Sequence, residues 1–158
     1  MKTTKTLRRM AVGTAAGVLA LVGTMVSAGT AQADYSAGST LNEPGILYQG
    51  GYLSYNDTKL ILQGDGNLVI YKGYSYPTAV WAAPGTWGCG QKAIMQGDGN
   101  FVVYGANNRV CWASNSFKSS STERASVSLS DHGGVDIVFE DTRFESFGRF
   151  TIRSSDPY

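Results

Sequence analysis

The chain has 158 residues, with 13 Lys and Arg, 12 Asp and Glu, 2 cysteines and 1 histidine. Four of the basic residues and none of the acidic residues lie in the first 33 positions, so residues 34–158 carry a net charge of −3. A mildly acidic domain lacks the basic surface through which proteins bind nucleic acid or anionic membranes. With His132 as the one histidine and no Cys/His cluster, we expect neither a zinc site nor a cofactor.

The first 33 residues indicate a signal peptide. Basic residues precede an uncharged, largely apolar stretch that ends at Ala31-Gln32-Ala33, the small-residue pattern of a cleavage site. We therefore expect cleavage before Asp34 and a secreted protein without membrane insertion. An uncleaved membrane anchor is the alternative, because the apolar stretch is almost long enough to span a bilayer. The pair Arg8-Arg9 also occurs in twin-arginine signals, but its flanking residues fit general secretion better. The remaining 125 residues suffice for one compact domain.

A ten-residue segment occurs twice in the predicted mature chain. Leu62–Tyr71 (LQGDGNLVIY) returns 33 residues later as Met95–Tyr104 (MQGDGNFVVY), and each copy is followed by a Trp-Ala pair, at residues 81–82 and 112–113. Asp-Gly between two runs of alternating apolar residues predicts a β-hairpin, with strands at 59–63 and 67–71 in the first copy. Alternation places Leu68 and Ile70 on the face that forms the core, and residues 67, 69 and 71 on the other.

A third copy, at about 124–158, is degenerate. Residues 127–139 keep the strand pattern, and 148–152 occupy the place of the Trp element. The third copy is aligned with the first by matching Phe139 to Tyr71. The site positions Gln63, Asp65, Asn67 and Val69 are then occupied, in that order, by Asp131, Gly133, Val135 and Ile137. The apolar strand pattern survives, whereas the polar set does not. The Ser- and Asn-rich segment 114–123 between the second and third copies is predicted to be an exposed loop.

These repeats predict an all-β domain of about a dozen short strands in three sub-sheets with pseudo-threefold symmetry. Trp81, Trp112 and Phe150 are the candidates for an aromatic stack on the common axis, whereas Trp87, outside the repeat register, is expected to pack locally. An even pair of cysteines in an exported chain predicts one disulfide, Cys89–Cys111, with two unlinked thiols as the alternative.

The repeated Gln-x-Asp-x-Asn-x-Val-x-Tyr pattern resembles the sugar-binding signature of the bulb-type (monocot mannose-binding) lectins. The Trp-Ala pairs and the segment 41–53 are also similar to that family, over residues 38–117 above all. The resemblance implies a secreted, bacterial-type member of the family with a β-prism of three short antiparallel sub-sheets and one potential sugar pocket on each. The cysteine pair departs from the position of the family's usual bridge. The carbohydrate-binding residues that the resemblance implies are Gln63, Asp65, Asn67, Val69, Tyr71, Gln96, Asp98, Asn100, Val102 and Tyr104.

The chemistry of these residue types suits a neutral sugar. A hexose presents hydroxyls that donate and accept, and the set combines an acceptor carboxylate, two amides and a phenol. The resemblance implies that the Asp and Asn bind the axial 2-hydroxyl of mannose, the Gln the 3-hydroxyl and the Tyr the 4-hydroxyl. An exposed Val is expected to contact the C–H face of the ring. By the same mapping the third copy lacks the set, which leaves at most two sites for mannose-type glycans or cell-surface polysaccharide.

Other interpretations of the same residues stay open. Asp-Gly turns, turn-capping amides and strand tyrosines also serve purely structural roles. Glycosidase chemistry needs two nearby carboxylates, but Asp65 and Asp98 belong to separate hairpins, so we expect no enzyme. A protein-interaction or antibacterial module without sugar binding is the main rival. It is suggested by charges crowded in the third copy, namely Glu140, Asp141, Arg143, Glu145, Arg149 and Arg153. The sequence does not decide whether the domain is a homo-oligomer or whether its C-terminal segment swaps into a neighbour.

Overall fold

A computed structural model of the chain describes residues 35–36, 38–130, 134–143 and 146–153. The predicted signal peptide, residues 1–33, lies outside the described residues, as do Asp131, Gly133 and Glu145. Within the described ranges, 13 strands and one short 3₁₀ helix, Ala106–Asn108, follow one another. The strands are β1 Tyr35–Ser36, β2 Thr40–Asn42, β3 Gly45–Tyr48, β4 Gly51–Tyr55, β5 Thr58–Leu62, β6 Leu68–Lys72, β7 Thr78–Ala82, β8 Lys92–Met95, β9 Phe101–Tyr104, β10 Val110–Ala113, β11 Glu123–Leu129, β12 Val135–Asp141 and β13 Ser146–Arg153.

The strands form three sheets, which confirms the predicted all-β architecture. Their orders are β1-β4-β5-β6-β7, β10-β9-β8-β3 and β13-β12-β11-β2. All pairs are antiparallel except β1–β4, which is parallel. Each sheet contains the three strands of one repeat and at least one strand from the start of the domain, since β1 and β4 add to the first sheet, β3 to the second and β2 to the third. The opening segment therefore ties the three repeats together.

The predicted hairpins and their core faces are also confirmed. β5 pairs with β6 so that Leu62 lies opposite Leu68, and a five-residue turn, 63–67, joins the strands. Leu68 and Ile70 are fully buried, as are Phe101 and Val103 of the second repeat, in one core cluster to which all three sheets contribute. Burial of these aliphatic and aromatic side chains provides the main stabilisation, at roughly 1.5–3 kcal/mol for each fully buried side chain.

The predicted aromatic stack is confirmed for two of its three members. The rings of Trp81 and Trp112 meet edge to face, with centroids 5.7 Å apart, and Trp112 also packs against Phe101 at 6.3 Å. Phe150, the third predicted member, is 39% exposed, although it lies on an edge strand as Trp81 and Trp112 do. Ile152 of the same strand packs against the core instead.

The predicted disulfide is present. Cys89, in the turn before β8, is bonded to Cys111 of β10, 22 residues later. Closing a loop of this length contributes about 3 kcal/mol in the chain-entropy model. The bridge holds the turn 84–90 beside the second sheet, and that turn also contacts the first hairpin.

The alignment of the third repeat is wrong by one residue. Leu129 lies opposite Val135, as Leu62 lies opposite Leu68, and each turn is closed by one backbone bond, Ser130 N to Gly134 O (3.0 Å) and Gln63 N to Asn67 O (2.9 Å). A shift of one residue exchanges the two faces of a strand. Val135 and Ile137, aligned with outer-face residues, are therefore buried in the core. The described residues in the positions of Gln63, Asn67, Val69 and Tyr71 are Ser130, Gly134, Asp136 and Val138.

Candidate functional site

The Gln and Tyr of each repeated segment are joined by a hydrogen bond on the outer face of the hairpin. Gln63 Nε2 donates to the Tyr71 hydroxyl oxygen over 2.9 Å, and Gln96 Nε2 donates to that of Tyr104 over 2.8 Å. The two residues of a pair lie eight positions apart in sequence and are brought together by the strand register. The tyrosine that accepts this bond keeps its own O–H to donate to a ligand.

The valine between the Asn and the Tyr of each segment is buried, whereas the sequence predicts that it is exposed. Val69 is 2% exposed and Val102 is 3% exposed. The register places the Ile61/Val69 pair between Gln63 and Tyr71, so the hydrogen bond that joins Gln63 to Tyr71 passes over this pair. An apolar layer therefore lies beneath the polar groups, and it is not an open surface for the C–H face of a sugar ring.

The Asp of each segment closes its own turn. Asp65 Oδ1 accepts a bond from the backbone N–H of Asn67, and Asp98 Oδ1 accepts one from that of Asn100, each over 2.9 Å. This Asx-turn holds the carboxylate in place through one oxygen. Both aspartates are exposed, so Oδ2 of each faces solvent as an acceptor.

The Asn of each segment is held by a buried hydroxyl that the sequence interpretation missed. The Thr86 hydroxyl lies 2.9 Å from Asn67 Oδ1 and 2.8 Å from Ala83 O, and its one proton serves one acceptor at a time. In the second repeat, Asn100 Oδ1 accepts from Ser114 Oγ over 3.1 Å and from the backbone N–H of Asn115 over 3.0 Å. These contacts turn Oδ1 inward and leave the amide Nδ2 as the outward donor.

Part of the segment 114–123, which is predicted to be an exposed loop, is buried. Residues 114–122 contain no strand, as expected, but Ser114 and Ser116 are buried, at 6% and 2% exposure. Phe101 N donates to Ser114 Oγ over 2.9 Å, just as Leu68 N donates to Thr86 Oγ1 over 3.1 Å. The signal for these residues is a hydroxyl residue shortly after each Trp-Ala pair.

An exposed aromatic residue stands beside each Asp turn. Trp87, which was expected to pack locally, is 75% exposed, and Phe117 is 60% exposed. Each precedes a residue whose backbone N–H donates to the carbonyl of the turn aspartate, Gly88 to Asp65 O over 2.7 Å and Lys118 to Asp98 O over 2.9 Å. The sequence does not show that Trp87 and Phe117 are equivalent, because their distances from the preceding Trp-Ala pair differ by one residue.

The third hairpin presents different groups on its outer face. Ser130, Gly134, Asp136 and Val138 provide neither the amides nor the phenol. Asp136 Oδ2 lies 3.6 Å from Arg149 Nη1, and Arg143 pairs with Asp141 at 3.3 Å. Hydrogen bonds from the side chain and backbone of Arg143 lower the pKa of Asp141. These charges of the third repeat pair with one another.

Comparison with known proteins identifies the architecture. At the level of sequence, the chain matches no protein-family profile and no curated protein. Among solved structures, a Marasmius oreades lectin is similar in fold, with a TM-score of 0.61, 20% identity and coverage of 76% of this chain and 95% of its own. The monomeric monocot mannose-binding lectins of Gastrodia elata are 30% identical, with a TM-score of 0.55 and coverage of 75% of this chain and 97% of theirs.

The snowdrop (Galanthus nivalis) mannose-specific agglutinin, in complex with methyl-α-D-mannoside, is 33% identical, with a TM-score of 0.54 and coverage of 63% of this chain and 87% of its own. By its fold, the chain belongs to the bulb-type lectin family. The β-prism that the sequence resemblance implied is thereby confirmed. The Gastrodia elata and Galanthus nivalis proteins, each at least 30% identical to this chain, are both lectins, in agreement with the prediction that the chain is not an enzyme. In the described part of the chain, no helix is long and apolar enough to cross a membrane.

Proposed function

We propose that the chain is a secreted lectin that binds mannose or mannose-containing glycans through two sites, Gln63–Tyr71 and Gln96–Tyr104. The observation that supports this most strongly is the duplication of one hydrogen-bond pattern. In both hairpins a Gln donates to a Tyr hydroxyl, an Asp carboxylate closes the turn, and a buried hydroxyl contacts the Asn. Because the third hairpin forms without these groups, a stable fold does not require them.

Each site offers the donors and acceptors that vicinal sugar hydroxyls need. The outward Asn Nδ2 donates and the neighbouring Asp Oδ2 accepts, which together suit one hydroxyl that accepts and donates. By the family resemblance this hydroxyl is the axial 2-hydroxyl of mannose, while Gln and Tyr bind the 3- and 4-hydroxyls. The snowdrop agglutinin and the Tarin lectin, solved with methyl-α-D-mannoside and with trimannose, bind ligands of this class.

Two sites on different sheets of one chain suit a multivalent surface. A shallow site with a few hydrogen bonds binds in the millimolar range, which corresponds to about 4 kcal/mol. Two linked sites raise the effective affinity for a surface that carries many copies of the ligand. Mannose-type glycans or cell-surface polysaccharide are therefore the proposed partners, and a homo-oligomer would multiply the sites.

The double variant Asn67→Asp/Asn100→Asp tests this proposal with little change of shape. A carboxylate oxygen still accepts the Thr86 and Ser114 hydroxyls, but the outward donor Nδ2 is replaced by an acceptor beside an aspartate. We expect binding to immobilised mannan, measured by surface plasmon resonance, to fall at least about a hundredfold, or about 2.7 kcal/mol.

The control is Asn107→Asp, which adds one of the double variant's two negative charges at an exposed position outside both sites. Asn107 has a φ of 55°, a conformation that aspartate also tolerates, so this variant should bind mannan as the wild type does. Binding of the double variant to mannan at the level of the wild type would refute the two-site proposal. Mannan binding lost by both variants, with both folded, would implicate net charge instead. A biological activity retained by the double variant would favour the protein-interaction alternative.

A further inference from the structure

A cavity of about 410 Å³ adjoins the first site. Gln63 and Tyr71 belong to both the cavity and the site. They form one wall of the cavity, and they are the hydrogen-bonded pair of the site. The cavity continues past Tyr71 toward the turn between β4 and β5 and the loop between β6 and β7. Its volume falls within the range of about 300–1,000 Å³ typical of small-molecule sites. A ligand seated at the first site would therefore extend into it without a break.

The far wall contains an exposed aromatic ring held on a fixed loop. Tyr74 lines the cavity and is 77% exposed. Gly73, at the start of the loop, donates its N–H to Asp57 O over 2.8 Å, which ties the loop to the β4–β5 turn. A tyrosine combines an apolar ring with a polar hydroxyl, so it can contact the C–H face of a sugar and still reach its hydroxyls. Asp57 and Lys59, also on the wall, add an acceptor and a donor.

The second site differs at the same corner. The loop between β9 and β10, residues 105–109, has no aromatic residue and is closed by a bond from Gly105 N to Arg109 O over 2.8 Å. Lys92, which pairs with Tyr104 as Lys59 pairs with Tyr71, donates to Asn108 Oδ1 over 3.1 Å. Lys59 Nζ instead lies 4.0 Å from the centre of the Tyr52 ring. Two sites that are alike in their Gln, Asp, Asn and Tyr therefore have different surroundings.

We propose that the first site holds two consecutive sugars of a mannose-type glycan, with the second sugar in the cavity against Tyr74, whereas the second site holds one. This inference rests on the proposed function of the two sites. The occupant follows from continuity, because Gln63 and Tyr71 contact both the site and the cavity. The mixed donors and acceptors on the wall suit a neutral sugar. The two sites accordingly differ in the length of glycan that they prefer.

Single-site proteins separate the two preferences. Asn100→Asp keeps only the first site intact, and Asn67→Asp keeps only the second. Each variant is titrated with methyl α-mannoside and with α1,2-, α1,3- and α1,6-linked mannobiose. Binding is monitored by ¹H–¹⁵N correlation spectra. For the first-site protein we expect at least one mannobiose to bind about tenfold more tightly than the monosaccharide, with shifts at the Gly73 and Tyr74 amides. For the second-site protein we expect the two affinities to agree within about twofold.

Tyr74→Ala and Tyr76→Ala, made in the first-site protein, test the role of the ring. Tyr76 lies on the same loop and is 90% exposed, but it does not line the cavity. The ratio of mannobiose to monosaccharide affinity should fall to about one in Tyr74→Ala and stay near tenfold in Tyr76→Ala. Monosaccharide binding with no gain from any mannobiose, or a gain that survives Tyr74→Ala, would overturn this inference and leave the two-site lectin intact. Absence of monosaccharide binding by both single-site proteins would overturn both this inference and the two-site lectin proposal.

Discussion

Replacing Gly66 by alanine should destabilise the domain by about 3 kcal/mol or more and remove the first site. Gly66 has a φ of +85°, and a Cβ there would lie 2.7 Å from both the N and the O of Gly90. Both atoms belong to backbone, which cannot rotate away as a side chain does. The change would therefore force apart the Asp65 turn and the turn held by the disulfide. Urea unfolding followed by tryptophan fluorescence measures the cost.

The neighbouring Gly64 provides the matched control. It lies in the same turn, and a Cβ added there meets nothing within 4 Å. Gly64→Ala should therefore change the free energy of unfolding by no more than about 0.5 kcal/mol. The second repeat provides the same comparison, since Gly99 has a φ of +90° and close neighbours, whereas Gly97 has none within 4 Å. If Gly66→Ala and Gly64→Ala were equally stable, the close contact between the two turns would not exist in solution.

Phe101→Ala should lower the free energy of unfolding by about 4 kcal/mol. Phe101 is fully buried, packs edge to face against Trp112 with ring centroids 6.3 Å apart, and directly follows Asn100 of the second site. Truncation leaves a cavity at the point where the repeats share their core. Chemical unfolding of the variant, with the midpoint and the slope both fitted, measures the loss.

Phe147→Ala is the corresponding control, because Phe147 is 70% exposed on β13. A change within about 0.5 kcal/mol is expected there. Equal losses for Phe101→Ala and Phe147→Ala would mean that the second repeat does not anchor the core as described.

The two hairpins could be predicted because their information is local. Asp-Gly marks the turn, and the alternation that follows it identifies Leu68 and Ile70 as core residues, which the structure buries completely. The third repeat lacks such a marker, and the alignment of Phe139 with Tyr71 matches two aromatic residues. Phe139 belongs to the core cluster, whereas Tyr71 lies on the outer face. One aromatic residue is too little to fix a register in which a shift of one residue reverses the faces.

Other features depend on contacts between distant segments. Thr86 lies 19 residues from the Asn67 that it contacts, and a hydroxyl residue after a Trp-Ala pair does not by itself show which side chain it binds. Val69 is buried beneath the hydrogen bond between Gln63 and Tyr71, which forms only when β5 and β6 pair in register. The opening segment also gives β3 to the second sheet and β2 to the third, and these two strands pair with segments far along the chain. Local sequence therefore predicts the hairpins and the polar set, while the surroundings of each site follow from the assembled fold.

The most direct test of the two-site account is a titration of ¹⁵N-labelled residues 34–158 with mannose, with galactose as the comparison sugar. We expect mannose in the millimolar range to shift the amides of Asp65, Asn67, Asp98 and Asn100, and to leave Gly134 of the third hairpin unchanged. Galactose, whose 2-hydroxyl is equatorial, should cause much smaller shifts. A folded protein whose spectrum stays unchanged in tens of millimolar mannose, or changes in the third hairpin alone, would contradict the account.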